Sequence, residues 1–239
     1  MKKAIVSYNF GNYEKMPEVL WKTDGWDMFC FTDSQVNDIP DEWTQLDLLD
    51  GSQASKIFRH NTISELNPKR LANFCKYQPF KLLLDYTGVQ YDILIVIDAN
   101  FQVSNDLNEA CERLLFATSD CSFLSHPSIH SAYDDIDLSV HLGKLDREVG
   151  AYTKSVFKEM GVPTQQTYLQ TGFSIRRNTS AWQHLEYVWW KDYVNLCARD
   201  QPVFNAIISK YPVLDVTVVQ KAEVDVYLNY KKHSFEQTA

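Results

Sequence analysis

Asp98 and Asn100 stand two residues apart at the end of an apolar run, a spacing that puts a carboxylate and an amide oxygen on one side of an extended chain. Oxygen donors of this kind suit a hard divalent cation, Mn²⁺ or Mg²⁺, with phosphate oxygens of a ligand completing its shell. The competing reading of the same residues is an Asx turn closing a core strand. A second polar group is Arg199-Asp200-Gln201, placed just before Pro202. There Asp200 suits the N-cap of a helix, and the cluster also suits a sugar. At the positive end of a helix Asp200 should stay ionised. It is then available to orient donor hydroxyls, to act as a base, or to stabilise an oxocarbenium-like centre. Lys76 is the basic residue best spaced to reach a diphosphate, with Arg70 on the neighbouring helix side; a solvated face is the plain alternative for both.

These residues need elements to hold them. Ile93 to Ile97 is a short apolar run in which four of the five residues are β-branched, as expected of a strand buried on both faces. In an open α/β sheet ligands lie beyond the carboxyl ends of such strands, which is where Asp98 falls. Ala4 to Tyr8 predicts the first strand. It leads through Tyr8 and Asn9 into the turn-rich Asn9–Tyr13 loop, a place for a base or ribose, although the spacing of a phosphate-binding glycine loop is absent. Trp26 to Thr32 predicts a second strand ending at Asp33, which either bonds the ligand or starts a turn. Trp43 to Leu49 fits an edge strand. Asn67-Pro68 starts a helix expected to run to about Tyr86, before Gly88.

Further on, Asp106 caps a helix through Phe116, and Cys121 to Leu124 is a short strand that delivers His126 to its carboxyl end. Asp134 to Gly161 is mostly helical with an interruption near Gly143. Leu169 to Arg176 is a strand with Gly172 inside it, a position that marks close approach of a ligand or a second backbone next to Thr171. Thr179 caps a helix whose Trp182, Trp189 and Trp190 fit a core face. A helix through about Ile208 and a strand from Val213 to Val219 follow. Alternating strands and helices with polar residues at strand ends predict an α/β protein built on a mostly parallel sheet.

Composition narrows the function. A net charge of −8 over 239 residues disfavours a nucleic-acid partner, whose backbone calls for a basic surface. Five cysteines, odd in number and without CxxC spacing, argue against a disulfide framework or a zinc site and for a reducing compartment. No secretion signal and no stretch of membrane-spanning length is evident, so a cytoplasmic location is expected. One domain is expected over residues 1–239, with a nucleotide-binding half to about residue 105 and an acceptor half from about 106.

Several stretches together resemble a family. These are Lys76-Tyr77-Gln78-Pro79, Tyr91-Asp92 running into Ile97-Asp98-Ala99-Asn100, and His126-Pro127, followed by Tyr168 to Arg176, Trp189-Trp190 and Arg199-Asp200-Gln201. Their order and spacing resemble the GT-A-type glycosyltransferases long catalogued only as a domain of unknown function. That group is found in bacteria, viruses and plant enzymes of mucilage and cell-wall polysaccharide synthesis. The resemblance runs over roughly residues 4 to 215. It implies a Rossmann-like GT-A fold, a nucleoside-diphosphate sugar donor such as a UDP-sugar, Mn²⁺ or Mg²⁺, and a glycan or other hydroxyl acceptor.

Carried across, Asp98 and Asn100 match the metal and donor-phosphate motif, with Asn100 in place of its second acid. Lys76 matches the basic residue before it. Asp200 and Gln201 match the catalytic polar pair facing the donor sugar. His126 matches the histidine after the following strand, while Arg70 sits off the spacing expected of a second basic residue. Read from the residues themselves, Tyr8, Asn9, Asp33, Arg70, Thr171 and Gly172 are candidates for the donor, and His126 and Trp190 for the acceptor. His233 is the candidate for the late histidine that completes the metal shell in related enzymes. Two other readings compete. A nucleotidyltransferase would want a basic phosphate loop near the first strand, but no Lys or Arg precedes Lys15 there. A non-catalytic sugar- or nucleotide-binding module is kept open by Asn100.

Overall fold

The apolar runs pair into one sheet because each strand is hydrophobic on both faces and helices cover both. In the computed structural model, which describes residues 1–33, 36, 38–48, 67–197, 199–211 and 214–231, seven strands form this sheet. They are β1 (Lys3–Asn9), β2 (Trp26–Thr32), β3 (Thr44–Asp47), β4 (Ile93–Ile97), β6 (Cys121–Ser125), β7 (Leu169–Arg177) and β8 (Val216–Val219). Their order is β3-β2-β1-β4-β7-β6-β8. All run parallel except β7, which is antiparallel to both β4 and β6. The mostly parallel α/β architecture expected from the sequence is therefore present, and β3 is the edge strand expected near Trp43. Both expected halves contribute to this single sheet.

One reversed strand has a direct consequence. The carboxyl ends of β1, β4 and β6 share one edge of the sheet, and the start of β7 reaches the same edge from the opposite direction. Asn9, Asp98, Ser125 and Thr171 are gathered there by topology alone. A small second sheet pairs β5 (Phe101–Val103) with β9 (Leu228–Tyr230) just beyond Asp98.

Helix α1 (Pro68–Tyr77) is capped by Asn67, whose side chain accepts from the Arg70 N–H. The sequence predicts one helix to about Tyr86. The structure instead breaks it at Gln78, with φ −127° and ψ 42°, before α2 (Pro79–Thr87) begins. Pro79 causes the break, since the residue before a proline is pushed out of the helical region. The interruption expected near Gly143, which has φ +66°, is present: it parts α4 (Ala132–His141) from α5 (Arg147–Glu159). Helix α3 (Leu107–Leu114) takes its cap from Asp106, and α6 (Ser180–Asn195) from Thr179. Helix α7 (Asp200–Ile208) follows, then the short α8 (Lys221–Val224). The last strand of the seven-stranded sheet begins at Val216, later than the expected Val213, which lies outside the described residues.

Two apolar cores flank the sheet. One packs α1, α2, α6 and α7 through Phe74, Tyr77, Leu83, Trp182, Trp189 and Phe204. The other, under α3, holds Ile95, Ile97, Leu107, Leu114 and Ile175. All five cysteines are buried and free. Among the described residues no helix is long and apolar enough to cross a membrane.

Candidate active site

Beyond the shared strand ends lies a cavity of about 580 Å³. Its wall includes Tyr8, Asn9 and Gly11 from the loop after β1, Asp98 and Asn100 after β4, and Lys69, Lys144 and Arg199. The β1 loop is braced from within. Asn9 Nδ2 donates to the Glu14 carbonyl at 2.6 Å, and Asp33 Oδ2 accepts the Gly11 N–H at 2.9 Å. Gly11, at φ +66°, turns the loop back so that a Cβ there would meet Pro68 at 3.1 Å. Asp33 thus shapes the loop from a buried position and is not on the cavity wall.

Asp98 on the cavity wall is joined by Lys76 to Asp200; neither Lys76 nor Asp200 lines the cavity itself. Lys76 Nζ lies 2.8 Å from Asp200 Oδ2 and 3.2 Å from Asp98 Oδ1. Asp98 Oδ1 also accepts the Tyr8 hydroxyl, and Asp200 Oδ2 accepts the Thr171 hydroxyl at 2.6 Å. The Lys76 side chain is 6% exposed, that of Asp200 16% and that of Asp98 36%. Burial opposes the ammonium, but the charges of Asp200 and Asp98 outweigh it and hold the Lys76 pKa well above its usual value. Burial also opposes ionisation of Asp200; Lys76, then Arg199, reverse this and hold its carboxyl below the usual range. Asp200 is therefore an ionised group with little basicity.

Gly172 is required by this packing. Its carbonyl accepts the Asp98 N–H at 2.9 Å, and a Cβ at Gly172 would lie 2.8 Å from Asp98 Oδ2. Behind the bridge, the break between α1 and α2 frees last-turn carbonyls, and the buried Arg176 donates to that of Lys76 at 2.6 Å. Arg176 lies over the rings of Trp182, Trp189 and Phe123 at 5.0, 5.7 and 5.9 Å, and pairs with buried Glu186. Burial pushes the Glu186 carboxyl up to about 8.

The rim is cationic. Lys69, Lys144 and Arg199 face the cavity, and none makes an ion pair among the described residues. Arg199 Nε is buried there without a hydrogen-bond partner. Burial and the neighbouring Arg199 charge lower the pKa of Lys69. Lys144 follows the α4–α5 interruption and carries no motif that would single it out in the sequence. Lys69 takes the wall position expected for Arg70, which lies off it.

Gln201, His126 and Trp190 lie elsewhere. Gln201 Nε2 donates to Asp135 Oδ2 at 3.1 Å, a carboxylate that also accepts the Tyr168 hydroxyl at 2.7 Å. Tyr168 lines a second hollow of about 600 Å³ with His126, His130, Gln165, Gln166 and Thr167. His126 Nδ1 accepts the Ser128 and Ile129 N–H groups at 3.2 and 2.9 Å, and burial lowers its pKa, so the ring is neutral with its proton on Nε2. Trp190 packs against Phe74 and Tyr193, at 4.9 and 5.8 Å between ring centres, and lines neither hollow.

The donor set does not fit the expected Mn²⁺ or Mg²⁺. Asp98 Oδ1 already receives an ammonium and a hydroxyl. Asn100 donates Nδ2 to the Lys231 carbonyl at 3.1 Å, leaving Oδ1 as a buried acceptor without a partner. No group of three His, Cys, Asp or Glu side chains suited to a metal occurs among the described residues, and His233 lies outside them. A dication at Asp98 would sit beside Lys76. Two like unit charges about 4 Å apart repel by roughly 4 kcal/mol at an effective dielectric of 20, and a dication roughly doubles that.

No family model and no curated protein matches this sequence. In shape the chain matches 222 solved chains. Among them is the crystal structure of mouse xyloside xylosyltransferase 1 in its apo form, at 9% identity and a TM-score of 0.49, covering 90% of this chain and 84% of that one.

Proposed function

We propose that the chain is a glycosyltransferase that moves a sugar from a nucleoside-diphosphate donor to a hydroxyl acceptor. The observation that carries this reading is the Asp98–Lys76–Asp200 bridge, which meets a cavity with a cationic rim through Asp98. The cavity is of ligand size. Its rim places positive charge in a protein whose net charge is −8, which suits a diphosphate. Asn9, Asn100 and the aromatic Tyr8, Phe10 and Tyr13 line the part suited to a nucleoside.

In this reading the acceptor oxygen bonds to the anomeric carbon while the bond from that carbon to the diphosphate breaks, its electron pair staying on the diphosphate. Lys69, Lys144 and Arg199 take up the growing charge. Asp200 is too weak a base to be matched to proton abstraction near neutral pH. It stays ionised and supports positive charge developing on the sugar. The acceptor proton goes to the departing diphosphate, whose oxygens are more basic than Asp200. The hollow lined by His126 and Gln166 takes the acceptor glycan. Its side chains are polar groups suited to sugar hydroxyls, and it joins α7 through Tyr168, Asp135 and Gln201.

A thermal-shift series with UDP-, GDP-, ADP-, CDP- and dTDP-sugars tests the reading. A donor at about 100 times its Kd adds roughly 2.7 kcal/mol of stability. A protein of this size then melts about 5–11 °C higher. Failure of every diphosphate and diphosphate sugar to raise the melting temperature would refute it. Substituting His126→Ala should raise the acceptor KM and leave donor binding unchanged.

A further inference from the structure

The diphosphate site differs in one respect from the metal-centred arrangement that its Asp-x-Asn strand end first suggests. A carboxylate pair kept free for a dication would present uncompensated negative charge. Here Asp98 and Asp200 share a single ammonium, held within 3.2 Å of one and 2.8 Å of the other. Lys76 has no freedom to leave without cost, because its carbonyl is fixed by Arg176 and its side chain is buried. Asn100, the second oxygen of the supposed metal motif, is neutral and is tied by Nδ2 to Lys231. Its Oδ1 is buried and has no hydrogen-bond partner among the described residues.

The rim provides the charge that a dication would otherwise supply. Lys69, Lys144 and Arg199 come from three separate segments: the first turn of α1, the turn between α4 and α5, and the residue before α7. Arg199 lines the cavity, and its buried Nε has no hydrogen-bond partner among the described residues. Guanidinium and ammonium donors of this kind bind phosphate oxygens directly. The wall carries three cations (Lys69, Lys144, Arg199) against two carboxylates (Glu14, Asp98), and the Lys76–Asp200 pair joined to Asp98 adds one of each sign. The site is thus already cationic before any ion is added.

We infer that this site binds a nucleoside diphosphate without a divalent cation. The Lys76 ammonium fixed between Asp98 and Asp200 stands where a metal would, and Lys69, Lys144 and Arg199 neutralise the phosphates. The inference rests on the donor reading given above, and its test separates the two.

The experiment is isothermal titration of the intact protein with UDP, then GDP, ADP, CDP and dTDP, once in EDTA and once in excess MgCl₂ or MnCl₂. The expected result is one nucleotide whose Kd in EDTA and in metal agrees within about threefold, because no ligand bond depends on the ion. Lys144→Gln, on an exposed turn where folding is not at risk, should weaken that binding about five- to tenfold in EDTA. The loss should shrink as salt screens the pair. Binding at least tenfold tighter with metal than in EDTA would overturn the metal-free site while leaving the donor reading intact. Equal affinity with no effect of Lys144→Gln at low salt would overturn the rim assignment. Absence of binding by every nucleotide under both conditions would overturn the donor reading and this inference with it.

Discussion

Replacing Lys76 by Met removes the ammonium that holds Asp98 and Asp200 together while keeping most of the side-chain volume. Breaking one partner from a buried ion pair costs about 3–5 kcal/mol, because the other charge is left uncompensated. Asp98 is 36% exposed and is screened by solvent, so the penalty comes chiefly from Asp200, at 16% exposure, and falls near the lower end, about 3 kcal/mol. For 239 residues that lowers the melting temperature by about 6–12 °C.

The pH dependence identifies the cause. In the wild type the Asp200 pKa is depressed, so its stabilisation is present above the unfolded value of about 3.9 and is lost as pH falls through the folded value. The Lys76 pKa is raised, so its share is present below about 10.4 and is lost as pH rises through the folded value. In Lys76→Met both contributions of Lys76 to Asp200 are gone, and burial, the largest single cause, is opposed by Arg199 and the Thr171 hydrogen bond. The folded pKa of Asp200 then lies above that of the wild type, so the variant loses less stability than the wild type as pH falls toward 4. Urea denaturation of both proteins at pH 7 and pH 4 should show a gap of about 3 kcal/mol at pH 7 that narrows at pH 4. A gap of equal size at both pH values would refute the argument. The double variant Lys76→Met/Asp200→Asn should recover much of the loss; full additivity of the two single effects would also contradict it.

Other consequences follow from the same geometry. Gly172→Ala puts a methyl 2.8 Å from Asp98 Oδ2, so it should destabilise the fold by about 1–3 kcal/mol and weaken donor binding, both measurable by thermal shift with and without nucleotide. Glu186, raised to about 8, makes the wild type lose stability as pH climbs from about 4 toward 8; Glu186→Gln should flatten that slope in urea midpoints, and an unchanged slope would remove Glu186 as its source. Tyr77→Phe deletes a buried hydroxyl that has no partner, so stability should be unchanged or higher by up to about 1 kcal/mol; a loss above about 1.5 kcal/mol would reveal a bond to that hydroxyl.

The parts of the site set by local rules were legible in the sequence. The β4 run had to be a buried strand, and its end had to carry Asp98 to the ligand edge. Asn67, Asp106 and Thr179 announced their helices as caps and do cap them. Gly172 inside a strand pattern marked a close approach, and the group approaching is the Asp98 carboxylate. What escaped depends on contacts distant in sequence. Lys76 meets Asp200 across 124 positions, and the pair appears only once β7 and α7 are folded beside α1. Nothing local reveals that this ammonium contacts Asp98 Oδ1, one of the oxygens that spacing alone assigns to a metal. Lys144 lies in a turn whose sequence context gives no sign of a ligand, and the α1–α2 break was hidden by an otherwise helical pattern around Pro79. Trp190 had two readings, core or sugar platform, and its partly buried ring packs against Phe74 and Tyr193 at the margin of the core.

The account turns on Asp200 as an ionised group that acts on the reacting sugar and does not hold the donor in place. Release of nucleoside diphosphate from the donor that binds most tightly should therefore be measured for the wild type and for Asp200→Asn, with donor affinity determined in parallel. The account predicts turnover by the wild type, donor binding within a few-fold for Asp200→Asn, and release slowed at least about a hundredfold by loss of the charge facing the transition state. Equal release by the two proteins, or no release by the wild type from a donor that it binds, would contradict it.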